Sequence, residues 1–140
     1  MAIERTLTII KPDAVAAGHM GDIIKIFEAN DFKIVAAQLV NLTKKEAEGF
    51  YAVHRDKPFF ESLTTFMSSG RALAMVLEGE QVISRLREVM GATNPAKAAA
   101  GTIRQLYASN IERNAVHGSD ASETAAYEIG YFFRGVDLAI

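Results

Sequence analysis

The sequence predicts a layered α/β or α+β sandwich, and three observations carry that reading. Short β-branched runs alternate with segments of helical spacing. Ten residues or more separate most of the strands, enough for right-handed crossovers. Of the 140 residues, 49% are hydrophobic and 23% charged, so a chain of this length buries about two thirds of its unfolded surface without staples. One domain spanning residues 1–140 is the expectation.

Residues 6–10 are β-branched and partly alternating, a strand that Lys11-Pro12-Asp13 stops because proline fixes φ and withholds an N–H. Met20, Ile23, Ile24 and Phe27 then follow helical spacing, with Asn30-Asp31 suited to the helix end. Residues 32–42 are again β-like. Thr43 followed by Glu46 is a capping-box signature, and Ala47, Phe50 and Tyr51 fall on one side of the helix it opens. Pro58 starts a further helical segment carrying Phe59, Phe60, Leu63, Phe66 and Met67. Residues 72–77 form an apolar strand, and residues 81–90 a helix with Val82, Ile83, Leu86, Val89 and Met90 as its stripe.

Residues 91–101 read as a loop with short helical turns, and residues 102–110 hold one more turn. Asp120 and Glu123 make a second capping box, opening a helix to about residue 129. Tyr131-Phe132-Phe133 reads as a final short strand. Four strands in two main βαβ units suggest a ferredoxin-like sheet with one face covered by helices.

Composition removes several function classes. With no cysteine there is no disulfide, thiolate metal site or cysteine nucleophile. Fifteen Lys and Arg against seventeen Asp and Glu give a net charge of −2, which argues against a broad nucleic-acid-binding face. No apolar run reaches the ~18–20 residues of a membrane span. Met1-Ala2-Ile3-Glu4-Arg5 lacks a signal-peptide pattern, so a soluble cytoplasmic chain is expected.

The richest segment for chemistry is Asn114-Ala115-Val116-His117-Gly118-Ser119-Asp120. It sets a histidine before a glycine, a serine and an apparent helix N-terminus, where N–H groups and the helix dipole favour an anion. An imidazole with one unprotonated nitrogen can accept a phosphoryl group. Glu128 can orient the ring if the preceding chain folds back over its helix, and is otherwise a solvated helix residue. Lys11, Arg87 and Arg104 are candidate phosphate cations, with Thr93 as a hydroxyl donor. One of Phe59 and Phe60 can offer its face to a planar ligand while the other packs inward. Tyr51 can donate its hydroxyl to a phosphate or to the serine, or lie half-buried in its helix. Taken singly, each is also an ordinary surface or core residue. No Walker-type loop and no Gly-x-Gly-x-x-Gly is present.

Together these segments resemble the nucleoside diphosphate kinase family from Ile3 to Phe133. The match runs through Lys11-Pro12-Asp13, Tyr51 with His54, Pro58-Phe59-Phe60, Gly91-Ala92-Thr93-Asn94-Pro95, Gly101-Thr102-Ile103-Arg104 and the His117 segment. Five or more motifs in register over a domain-length chain are far more specific than any one. The resemblance implies a ferredoxin-like βαββαβ core, a four-stranded antiparallel sheet with helices on one face plus additional helices. It also implies ping-pong phosphoryl transfer from a nucleoside triphosphate through His117 to a nucleoside diphosphate.

By the same resemblance His117 attacks through Nδ1 and Glu128 holds the opposite ring nitrogen. Lys11, Tyr51, Ser119 and Asn114 surround the reacting phosphate and the sugar hydroxyl. Arg87, Thr93 and Arg104 bind the other phosphates. Phe59 stacks on the base, with Leu63 and Ile111 completing an apolar clamp. Mg²⁺ rides on the nucleotide phosphates, without a protein metal site. A homo-oligomer, tetramer or hexamer, is implied, with no nucleic-acid or membrane partner.

Two departures stand out. Ala100 precedes Gly101 where many members carry proline, and Gln105-Leu106-Tyr107 replaces a common small–Asp–Phe stretch. They put the stiffness and contacts of that loop in doubt. Two other classes share such a fold: a nucleotide-sensing module without turnover, and a non-enzymatic assembly protein. Neither has a use for His117, Glu128 and Ser119 together.

Overall fold

The computed structural model describes residues 3–138. The signal-peptide reading of Met1 and Ala2 lies outside the described residues. Four strands, β1 (Ile3–Ile10), β2 (Lys33–Val40), β3 (Ala72–Glu80) and β4 (Val116–Gly118), form one sheet in the order β2-β3-β1-β4. Every neighbouring pair is antiparallel. The helices are α1 (Pro12–Ala16), α2 (Met20–Ala29), α3 (Lys44–Phe50), α4 (Phe60–Met67), α5 (Val82–Met90), α6 (Ile103–Tyr107) and α7 (Ser122–Phe132). With α2 and α5 as crossovers the order is βαββαβ, the expected ferredoxin-like plan.

Alternation along β1 and β3 explains the layers. Leu7 and Ile9 pack with Ala72, Ala74 and Val76 under Ala47 and Phe50 of α3 and Phe66 and Met67 of α4, with Ile129 and Phe132 of α7 beside them. Ile10, Met75 and Leu77 face the opposite way, against Ile23 and Phe27 of α2 and Val82, Leu86 and Met90 of α5. The crossover helices thus cover one face and the additional helices cover the other. Because both faces are covered, Thr6 and Thr8 of β1 are fully buried.

Local signals explain most boundaries. Thr43 caps α3 as expected: Glu46 N–H donates to Thr43 Oγ1 at 3.1 Å, and Thr43 N–H to Glu46 Oε1 at 2.8 Å. Asp31, with φ 63°, turns the chain from α2 into β2. Pro12 ends β1 as expected but also opens α1, where its missing N–H is harmless.

Three expectations are corrected. Residues 131–133 are not a strand, because α7 continues through Phe132 and Phe133 N–H still bonds to Ile129 O at 2.9 Å. The aromatic run has strand composition, but its side chains meet the core at helical spacing. The fourth strand is instead Val116–Gly118, which pairs Thr8, Ile9 and Ile10 with Gly118, His117 and Val116. The expected Asp120–Glu123 capping box does not form: the N-cap is Ala121, whose N–H donates to Thr124 Oγ1 at 2.9 Å but whose side chain has no acceptor to return the bond. Asp120 is drawn to Arg87 instead, with Nη1 and Oδ1 2.6 Å apart.

Candidate active site

The site is built on the meeting of β1 and β4 at one edge of the sheet. Thr8 Oγ1 donates to His117 O at 2.7 Å, and Lys11 N–H to Ala115 O at 2.8 Å. Ala115 is fully buried with φ 74°, a conformation disfavoured for L-residues by roughly 1–2 kcal/mol. Its N–H donates to Asp13 Oδ2 at 3.1 Å, so α1 holds the strained turn that feeds β4. Gly118 sits close under α5: a Cβ there would lie 3.0 Å from Leu86 Cδ2 and Met90 Sδ, which would have to give by a few tenths of an ångström.

His117 therefore sits in a strand, not at a helix N-terminus; α7 begins only at Ser122. The turn after β4 folds α7 back, and Glu128 reaches the ring, with Nε2 and Oε1 2.8 Å apart. Ser119 Oγ, fully buried, donates to the same carboxylate oxygen at 2.7 Å. A carboxylate can only accept, so in the neutral ring Nε2 carries the proton and Nδ1 keeps its lone pair. The rings of Phe50 and Tyr51 stand edge-on to the imidazole, at centroid distances of 5.3 and 6.0 Å. Packing and the Glu128 bond together fix the direction in which Nδ1 points.

Three neighbours carry buried polar atoms. The Tyr51 hydroxyl has no partner among the described residues and does not reach Ser119. Burial, reinforced by the Glu128 charge, pushes its pKa up, so it remains a donor. Lys11 Nζ donates to Asn114 Oδ1 at 2.8 Å, and burial, with Arg104 adding repulsion, lowers the lysine to about 8. Asn114 Nδ2 in turn donates to Ile111 O at 2.8 Å, so its amide is engaged at both ends.

Arg104 donates to Gly91 O at 3.0 Å and to Val116 O at 2.9 Å, tying the loop after α5 to β4. Its buried Nε has no partner among the described residues, and burial, with Arg87 nearby, lowers its pKa to about 10. Arg87, Thr93 and Arg104 line one cleft of about 490 Å³ together with Lys97 and Thr102. Two of the three candidate cations, Arg87 and Arg104, thus share this cleft, Lys11 is not among its lining residues, and Arg87 keeps Asp120 as an exposed partner. The departures in this loop also have contacts: Gly101 N–H donates to Gln105 Oε1 at 3.2 Å.

On the far side, Phe59 is 46% exposed and Ile111 59%, while Leu63 and Phe60 pack against the core. Of the two phenylalanines, Phe60 faces inward and Phe59 is left open, with His54 5.5 Å from it. The predicted site residues are drawn from β4 and the turns beside it, from the ends of β1 and α3, and from α4, α5 and the loop after it, α6 and α7. The reading from residues missed Thr8, Asp13 and Phe50, which support His117 and Ala115 without being reactive. The threonines alternating in β1 and the aspartate closing Lys11-Pro12-Asp13 were the available signals.

Comparison with known proteins gives one answer. The family model described as nucleoside diphosphate kinase matches residues 4–138. A nucleoside diphosphate kinase of Nitratidesulfovibrio vulgaris is 57% identical over 136 residues, 97% of this chain and 98% of that one. One from Protochlamydia amoebophila, named nucleoside diphosphate kinase 2, is 58% identical over 99% of this chain and 96% of its own. Among solved structures, the Aquifex aeolicus enzyme superposes with a TM-score of 0.97 at 43% identity, covering 99% of this chain and all of that one. A Halobacterium salinarum nucleoside diphosphate kinase in complex with CDP gives 0.94 at 38%, covering 99% and 93%.

Proposed function

This chain belongs to the nucleoside diphosphate kinase family and is an enzyme of nucleotide metabolism, and from that premise we propose reversible ping-pong transfer through a phosphohistidine on His117. The supporting observation is the Nε2–Glu128 contact of 2.8 Å, which leaves Nδ1 as the nucleophile. The Nδ1 lone pair attacks the γ-phosphorus of a nucleoside triphosphate, the bond from that phosphorus to the β–γ bridging oxygen breaks, and the diphosphate departs. A β-phosphate oxygen of a second nucleoside diphosphate then attacks the phosphorus, and the P–N bond breaks. The ring gains no net proton, and Glu128 with Ser119 stabilises its charge while the phosphoryl is held.

Phosphoryl transfer asks for alignment and charge neutralisation. Lys11, Tyr51 and Asn114 stand where the reacting phosphate and the sugar hydroxyl would lie, while Arg87, Thr93 and Arg104 take the remaining phosphates. Among the described residues no three acidic or imidazole side chains converge on a metal position. In this reading Mg²⁺ enters with the nucleotide, carried on its phosphates, as magnesium commonly is. Phe59, Leu63 and Ile111 hold the base by its faces, which favours broad base and sugar tolerance.

Incubation with a γ-labelled nucleoside triphosphate and Mg²⁺ tests this. An acid-labile, base-stable label that any nucleoside diphosphate discharges is expected; a stable nucleotide complex with no label would overturn the reading. Phe59→Ala should weaken nucleotide binding by about 1–3 kcal/mol, the loss of one stacking platform, measured by calorimetry. Unchanged affinity would remove Phe59 from the base site. A cytoplasmic location and a tetramer or hexamer belong to the same reading, and sedimentation would reveal a monomer if the oligomer is wrong.

A further inference from the structure

The two open apolar faces of the proposed base clamp lie on different segments: Phe59 caps α4, and Ile111 lies on the loop before β4. A direct hydrogen bond joins those segments beside the clamp. Ser62 Oγ donates to Glu112 Oε2 at 2.6 Å across fifty residues of sequence. Ser62 follows Phe59 by three residues and Phe66 follows Ser62 by four, so the three share one face of the helix. Glu112 directly follows Ile111. One turn further along α4, the Arg113 guanidinium lies 4.9 Å over the Phe66 ring, a second tie between the same segments.

The loop itself is firm. Asn110 Oδ1 accepts from Glu112 N–H at 3.0 Å and Arg113 N–H at 2.8 Å, and Ser109 N–H donates to Arg113 O at 2.9 Å. Asn114 then fastens Ile111 O to Lys11 on the phosphate side. The Ile111 wall is thus fixed to the catalytic strand. The Phe59 wall is carried by a short helix whose direct side-chain hydrogen bond to this wall is the Ser62–Glu112 pair.

We propose that Ser62 and Glu112 are positioning residues that set the opening of the slot between Phe59 and Ile111, and so the affinity for the base as distinct from the phosphates. The proposal rests on the reading of Phe59 and Ile111 as the base clamp. Glu112 also lends Lys11 a favourable charge, a phosphate-side effect that must be separated from the latch. Glu112→Gln does so, since its amide oxygen still accepts from Ser62 while the charge is gone.

The test compares binding of Mg²⁺-ADP with binding of Mg²⁺-pyrophosphate, which has no base, to the full chain. Ser62→Ala and Glu112→Ala should weaken ADP by about twofold to tenfold, the range of one lost hydrogen bond, and Ser62→Ala should change pyrophosphate far less. Glu112→Gln should recover most of the ADP loss. Equal weakening of ADP and pyrophosphate in Ser62→Ala, or a Glu112→Gln defect as large as that of Glu112→Ala, would overturn the latch. Unchanged ADP affinity in Ser62→Ala with a defect in Phe59→Ala would also overturn it while leaving the clamp standing. Unchanged ADP affinity in both would remove the clamp and the latch with it.

Discussion

Replacing His117 with alanine should abolish phosphoryl transfer while leaving a folded protein. The expected loss of turnover is roughly 10⁴-fold or more, the scale on which deletion of a covalent nucleophile acts. No acid-labile label should form, and nucleotide should still bind, because Arg104 and Lys11 do not depend on the imidazole for their hydrogen bonds. Thermal unfolding should shift only modestly, since Ser119 still donates to Glu128 and the His117 backbone remains paired with Ile9. Single-turnover measurement with labelled nucleoside triphosphate decides it. A rate within tenfold of the native chain would mean that the phosphoryl group never visits this ring.

Lys11→Met should lower kcat/KM by about 10²–10³, the usual effect of removing one preorganised charge from a reacting phosphate. It should also raise stability at neutral pH by up to about 3 kcal/mol, less the lost hydrogen bond to Asn114. The sign follows from the lysine's lowered pKa, about 8 folded against 10.5 free. Below pH 8 the charge is present in both folded and unfolded chains, and its desolvation weighs fully against folding. As pH rises from 8 to 10.5 the folded lysine loses its proton first and the penalty fades. Denaturant titrations at pH 7 and pH 10 should therefore differ most for the native chain.

Substrate binding should show the converse. Phosphate restores the ammonium form, so binding near pH 9 should take up to one proton per site and weaken as pH climbs, while binding at pH 7 takes up none from Lys11. Calorimetry in buffers of unlike ionisation heat measures the uptake. Identical uptake at both pH values would exclude Lys11 as the phosphate contact.

What was legible from sequence divides by distance along the chain. The Thr43–Glu46 box needs one helical turn and was read correctly, and so were the apolar stripes of α2 and α5. The strand β4 was not: Val116, His117 and Gly118 show no alternation of their own and are a strand only because β1 pairs with them. Tyr131, Phe132 and Phe133 were misread because their composition suits either state and only the core beneath them decides. Most site residues stand out as candidates from the residues alone, while their definite roles, and Leu63 and Ile111 altogether, rest on the family resemblance. Spacing alone left Glu128 as a solvated helix residue and set His117 at a helix end. Asp13 and Thr8 stayed invisible, since their partners Ala115 and His117 lie more than a hundred residues away.

That separation has a consequence for how the protein comes into being. Lys11 to Asn114, Asp13 to Ala115 and Thr8 to His117 span 103, 102 and 109 positions. Such closures come late, because the entropy of a long loop is lost before its contacts repay it. Chains ending before α7 should take no label from nucleoside triphosphate even where β1, β2 and β3 have formed. During synthesis β1 can pair with β3 early, but its β4 edge must wait for nearly the whole chain, and the proposed nucleophile should stay silent on the ribosome until Glu128 has emerged to meet it.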